Sequence, residues 1–135
     1  MADESSPLIR SLQQVSGEIN QESDQLTESL AKLESLIGGL NLGVSACVPL
    51  YPDEKLATQG FFYGKVGDAW HLGVEDAAGK RRPLRECARP ERIAAAAQID
   101  HLLGVLLAET QRLAEKISKA RGVADQAAMR LGGKS

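Results

Sequence analysis

Two histidines, two cysteines and one run of cations carry the side-chain chemistry that this sequence can offer. His71 stands near Asp68 and Glu75, and an imidazole beside a carboxylate is the usual pair for moving a proton. Its place on a strand rich in glycine favours a structural role instead. His101 lies on a stripe of small residues, Ala97, His101, Gly104 and Ala108, which suits close helix packing. Cys47 and Cys87 are too few and too far apart to read as a zinc site or a disulfide framework, so both are expected as reduced core thiols. No Gly-x-Ser-x-Gly or His-Glu-x-x-His pattern occurs. The ending Gly133-Lys134-Ser135 imitates the close of a phosphate-binding loop, but the first glycine of that pattern falls on Ala128. These residues predict no catalytic group, no metal site and no cofactor, and an enzyme is not expected.

The strongest local charge signal is Lys80, Arg81, Arg82, Arg85, Arg89 and Arg92, six cations in thirteen residues. Beside a helix N-terminus such a cluster can hold phosphate, nucleic acid or another polyanion. Two features weigh against that use. The formal charge of the chain is −2, and residues 1–39 carry seven carboxylates against Arg10 and Lys32, enough to neutralise the cluster internally. Edge strands also carry charge simply to block aggregation. No aromatic platform for stacked bases is evident beside it.

The elements that must position these groups are legible in outline. Ser6 and Pro7 form a helix start, and Leu12, Ile19, Leu26, Leu33 and Leu40 then recur every seven residues with Leu8, Val15 and Leu36 beside them. The companion positions Glu22 and Ser29 weaken this seam in its middle, and Gly38 and Gly39 end it. The period then changes to two: Leu40, Leu42, Val44, Ala46, Val48 and Leu50 alternate with smaller or polar residues, as in a half-buried strand. Gly60 to Glu75 reads as a hairpin about Gly67-Asp68, which sets Tyr63 opposite Leu72 and Phe61 opposite Val74 on the core face. The other face holds Phe62, Gly64, His71 and Gly73, with room for something flat, most simply a helix of the same chain. A short fourth strand near Pro83 to Cys87 is marked as an edge by its proline. Pro90 opens a last helix, apolar almost all round from Ile99 to Leu107 and striped beyond Glu109 along Leu113, Ile117, Ala120, Ala124, Ala127 and Leu131.

The fold class is therefore α+β, one domain over 1–135: a helix over 7–38, a three- to four-stranded antiparallel β-meander over 40–88 and a helix over 90–130, with frayed ends at 1–6 and 132–135. The two helices are expected to pair as an antiparallel coiled-coil-like hairpin, acidic against mildly basic. The opening Met-Ala-Asp-Glu-Ser-Ser-Pro lacks a leader pattern and no apolar run reaches the roughly 18 residues of a membrane span, so a cytoplasmic location is expected. This helix–strands–helix layout resembles that of prefoldin subunits, whose antiparallel coiled coil carries β-hairpins that assemble the oligomer. The resemblance is one of layout, without a shared motif, and the apolar stretch Ile99 to Leu107 departs from a plain coiled-coil arm. It implies β-mediated assembly and helix tips that hold a client. The functional expectation is a non-catalytic interaction or assembly protein, adapter, scaffold or chaperone-like, that forms homo-oligomers and binds another protein through Leu8, Ile9, Leu12, Val15 and Leu131. The alternative is polyanion binding through the basic cluster.

Overall fold

The computed structural model describes residues 6–54 and 58–133. The ends expected to fray lie outside these residues, apart from Ser6, Gly132 and Gly133. Among these residues three helices and a four-stranded antiparallel sheet follow in the order α1 (Pro7–Gly39), β1 (Ala46–Pro49), β2 (Gly60–Val66), β3 (Ala69–Glu75), β4 (Arg81–Pro83), a 3₁₀ turn (Leu84–Glu86), α2 (Arg89–Ala97) and α3 (Ile99–Gly132). The strands lie in chain order, an α+β meander.

Local chemistry accounts for most boundaries. The Ser6 hydroxyl accepts the Ile9 N–H at 3.3 Å and Pro7 opens α1. After Gly39 the chain passes through left-handed backbone at Asn41 (φ 50°) and Gly43 (φ 71°). The strand expected from Leu40 therefore begins only at Ala46. From that residue the alternation holds, with Ala46, Val48 and Leu50 buried. The hairpin turns at Gly67 (φ 65°) and pairs Tyr63 with Leu72, Phe61 with Val74 and Lys65 with Trp70, the expected register. Asp76 closes the next turn by accepting the Ala78 and Lys80 N–H groups on one carboxylate oxygen, at 3.0 and 2.9 Å. The edge strand is Arg81–Pro83, not the expected Pro83 to Cys87: Pro83 ends it and Leu84–Glu86 turn as a 3₁₀ helix.

One face of the sheet makes the core. Ala46, Val48, Phe61, Tyr63, Leu72 and Val74 pack against Leu30 and Ile37 of α1, Ala95 of α2 and Leu102 and Leu106 of α3, with Leu84 and Cys87 closing one end. Tyr63 and Trp70 stack at a centroid distance of 5.4 Å. Among the described residues the opposite face carries no helix. There Phe62 lies against Gly73, its paired residue, and against Gly64, while the Arg81 guanidinium covers the ring at 4.6 Å. Phe62 is consequently 0% exposed on the outer side of the sheet. The flat occupant of the glycine face is this ring, roofed by an arginine, and not a helix.

Two expectations about the helices are corrected. The last helix is broken at Gln98, whose N–H donates to the Ala95 carbonyl three residues back while its own carbonyl starts α3 by accepting the Leu102 N–H. The pieces meet at 59°. The two long helices also do not pair as an antiparallel hairpin. α1 packs on α2, β3 and the 3₁₀ turn, whereas α3 packs on β1, β2 and α2. The bend aims α3 along the sheet, and every described residue from 114 onward is exposed. The small-residue stripe at His101 and Gly104 likewise faces solvent instead of a helix.

A Cβ on Gly73 collides with the Arg82 carbonyl and comes within 2.8 Å of the Phe62 ring. Gly73→Ala is therefore expected to destabilise by about 3 kcal/mol in urea unfolding. Gly104→Ala, in the exposed interior of α3 with nothing within 4 Å, should stabilise by about 1 kcal/mol.

Candidate functional site

The apolar positions of α1 show how the helix meets the rest of the chain. Leu8, Leu12, Val15, Ile19, Ser23, Leu26, Leu30, Leu33 and Ile37 advance 29 residues in eight steps, about 3.6 per turn, the period of a straight α-helix. A strict heptad drifts about 20° per repeat around such a helix. The buried companions are accordingly Ser23, Leu30 and Ile37, one residue beyond the Glu22, Ser29 and Leu36 expected from the heptad frame. The lower half of this single stripe lies on the protein's own core. Its upper half, Leu8 to Ile19, continues on the same face with nothing over it.

Ser23 marks the transition and is the one buried polar residue among those described. Its hydroxyl accepts from Arg89 Nε and from an Arg92 terminal nitrogen, both at 3.2 Å, and Arg89 also donates to the Asn20 side chain at 3.0 Å. Arg92 donates further to the Cys87 carbonyl at 2.6 Å. Two arginines at the start of α2 thus clasp α1 at mid-length. Glu91 secures the same corner from the other side. It accepts the Ala88 N–H at 3.0 Å, an Arg82 guanidinium nitrogen at 2.8 Å and the Gln59 amide at 3.2 Å. Burial works to raise its carboxyl pKa, but these three bonds outweigh it and hold the group below its ordinary value.

The predicted anion cluster is therefore largely committed to the fold. Arg81 covers Phe62, pairs with Glu75 at 3.3 Å and donates to the Lys65 carbonyl. Arg82 is held by Glu91, and Arg89 and Arg92 by Ser23. Only the side chains of Lys80 and Arg85 bond to nothing among the described residues. The six cations are not gathered on one open face.

What the corner does open is a groove of about 350 Å³ beside the clasp, lined by the apolar Val15, Ile19, Leu26 and Ile93 together with Glu18, Glu22, Ser23 and Arg89. Of the residues expected to bind a partner, Val15 lines this groove. Leu8, Ile9 and Leu12 extend its face to the helix tip, and Leu131 lies at the far end of α3. All five are exposed, Leu8 at 76% and Leu131 at 81%. Sequence reasoning did not assign Ile19, Leu26 and Ile93 to a surface, because it placed the heptad positions inside a helix pair. The 3.6-residue step through Ser23 was the available signal.

A smaller depression of about 90 Å³ lies where α1 crosses the edge of β3. Glu34 accepts the Leu72 N–H there at 2.7 Å, taking the place of a strand partner beyond the end of β4, and stands 3.3 Å from His71 Nδ1. His71 Nδ1 and Arg92 Nε are left without a hydrogen bond. The carboxylate beside His71 is thus Glu34 of α1, in a helix-to-edge joint. Among the described residues no group of three or more His, Cys, Asp or Glu side chains is placed to hold a metal. Cys87 is buried as expected, while Cys47 is exposed with its sulfur over Gly60.

No protein-family model matches the chain, and no curated protein or solved structure is similar to it. The resemblance to prefoldin subunits therefore stands on layout alone, and the unpaired helices depart from that layout. No single described helix is long and apolar enough to cross a membrane; α2 and α3 together pass on length and composition but are bent at their junction.

Because the Glu91 carboxyl is depressed in the folded state, its stabilisation is present above the unfolded carboxyl pKa of about 4.3 and is lost as pH falls through the lower folded value. Glu91→Gln should cost about 2 kcal/mol at neutral pH, with the gap to wild type closing below about pH 4 in urea titrations. Both thiols are pushed above their ordinary value, chiefly by burial, with a nearby carboxylate adding to it: Glu75 at Cys47 and Glu91 at Cys87. Native alkylation near neutral pH should therefore be slow at Cys47 and absent at Cys87 until the chain unfolds.

Proposed function

We propose that this chain is a non-catalytic interaction or assembly protein, an adapter, scaffold or chaperone-like component that self-associates and presents a surface to another protein. One observation carries the reading. The apolar stripes of α1 and α3 run on past the protein's own core into solvent, with Leu8, Leu12, Val15 and Ile19 exposed on one helix and Ile117 and Leu131 on the other. A helix in a protein draws most of its stability from covering its apolar face, so such arms are matched to a partner. Contiguous exposed apolar surface of this kind marks interaction sites.

The polyanion alternative loses its footing where four of its six cations serve internal joints. Sedimentation equilibrium tests the reading: the full chain should show concentration-dependent self-association at micromolar levels, and Leu12→Ser with Ile19→Ser should shift it towards monomer and abolish the rise of the urea midpoint with protein concentration that wild type shows. A wild-type chain that stays monomeric at tens of micromolar overturns the self-associating form of this proposal.

A further inference from the structure

The two exposed stripes match each other in step and in charge. On α1 the positions are Leu8, Leu12, Val15 and Ile19, and on α3 Leu113, Ile117, Ala120, Ala124, Ala127 and Leu131. The first advances by four, three and four residues and the second by four, three, four, three and four, so four layers can register side by side. The small side chains at Ala120, Ala124 and Ala127 allow close approach opposite the larger ones of α1. Charge is divided in the same way. Residues 7–28 carry Arg10 against Glu18, Glu22, Asp24 and Glu28, a net −3, and residues 111–132 carry Arg112, Lys116, Lys119, Arg121 and Arg130 against Glu115 and Asp125, a net +3.

Within one chain these faces do not meet. α1 is held by the Ser23 clasp to α2 and by Glu34 to β3, while the bend at Gln98 lays α3 on β1 and β2. We infer that the groove over Val15, Ile19, Leu26 and Ile93 receives the outer half of α3, residues 111–132, from a second copy of this chain. The inference rests on the self-association proposed above and names its interface. Leu113, Ile117 and Leu131 supply the apolar contacts, and the carboxylates Glu18 and Glu22 that line the groove face a segment rich in lysine and arginine. Because each copy both offers an α3 arm and holds a groove, reciprocal exchange covers both faces in both copies, and a closed symmetric pair is the smallest assembly that does so. Opposite net charge at this interface also disfavours pairing α1 with α1 or α3 with α3.

Charge reversal in the full-length chain tests this. One variant carries Glu18→Lys, Glu22→Lys and Glu28→Lys, and a second carries Lys116→Glu, Lys119→Glu and Arg121→Glu, all at exposed positions. In sedimentation velocity at low salt each variant alone should self-associate more than tenfold more weakly than wild type. An equimolar mixture should recover a mixed complex, because the reversed α1 of one variant then faces the reversed α3 of the other, and a chain carrying all six changes should associate like wild type. Wild-type self-association that survives either reversal, or a mixture that recovers nothing, overturns this pairing while leaving self-association in place. A monomeric wild type removes both.

Discussion

The helices and the sheet of this protein differ in length by about twofold, and the architecture follows from that mismatch. The strands β2 and β3 have seven residues each, some 24 Å of extended chain, whereas α1 and α3 have 33 and 34 residues, some 50 Å of helix. A single apolar sheet face can cover only part of each helix. α1 gives it Leu30 and Ile37 and α3 gives it Leu102 and Leu106. What extends beyond the sheet keeps its apolar face but has no surface of its own chain to set it on. The exposed arms are thus a consequence of geometry, not of a poorly formed core.

Polar joints decide where the bound part of each helix stops. Ser23 is an unusual residue to bury on an apolar stripe, and two guanidiniums satisfy its hydroxyl. Breaking one partner of such a buried contact leaves the other desolvated, which makes the clasp a firm boundary. Glu91 ties the start of α2 to β4 and to Gln59, and Glu34 ties α1 to the open edge of β3. Four of the six residues that look like a polyanion-binding run in sequence, Arg81, Arg82, Arg89 and Arg92, therefore make internal joints. Their proximity along the chain is real, but the fold turns successive side chains in different directions.

The outer sheet face shows a second economy. A phenylalanine on a solvent-side position ordinarily calls for another layer. Here Gly64 and Gly73 let the Phe62 ring lie on the sheet itself, and Arg81 stacks over it while its edges reach Glu75 and the Lys65 carbonyl. This closes the face with one side chain and leaves both long helices on the other.

Local rules determined a definite part of this structure from sequence alone. The Ser6-Pro7 start of α1, the Gly67-Asp68 turn with its Tyr63–Leu72 register, and the edge position of Pro83 all depend on backbone preferences within a few residues, so composition suffices to find them. The stripes of α1 and α3 were visible too, because a helix repeats its faces regularly. Which surface each stripe meets was decided only by tertiary structure. Gln98 carries no glycine or proline signal, yet the bend there sends α3 along β1 and β2 and away from α1. The buried frame of α1 passes through Ser23 because a straight helix must keep a 3.6-residue face towards the core, and a polar residue there is tolerable only where Arg89 and Arg92 arrive from more than sixty positions away in the chain. Docking choices of that kind depend on contacts between distant residues, and no local pattern in the sequence encodes them.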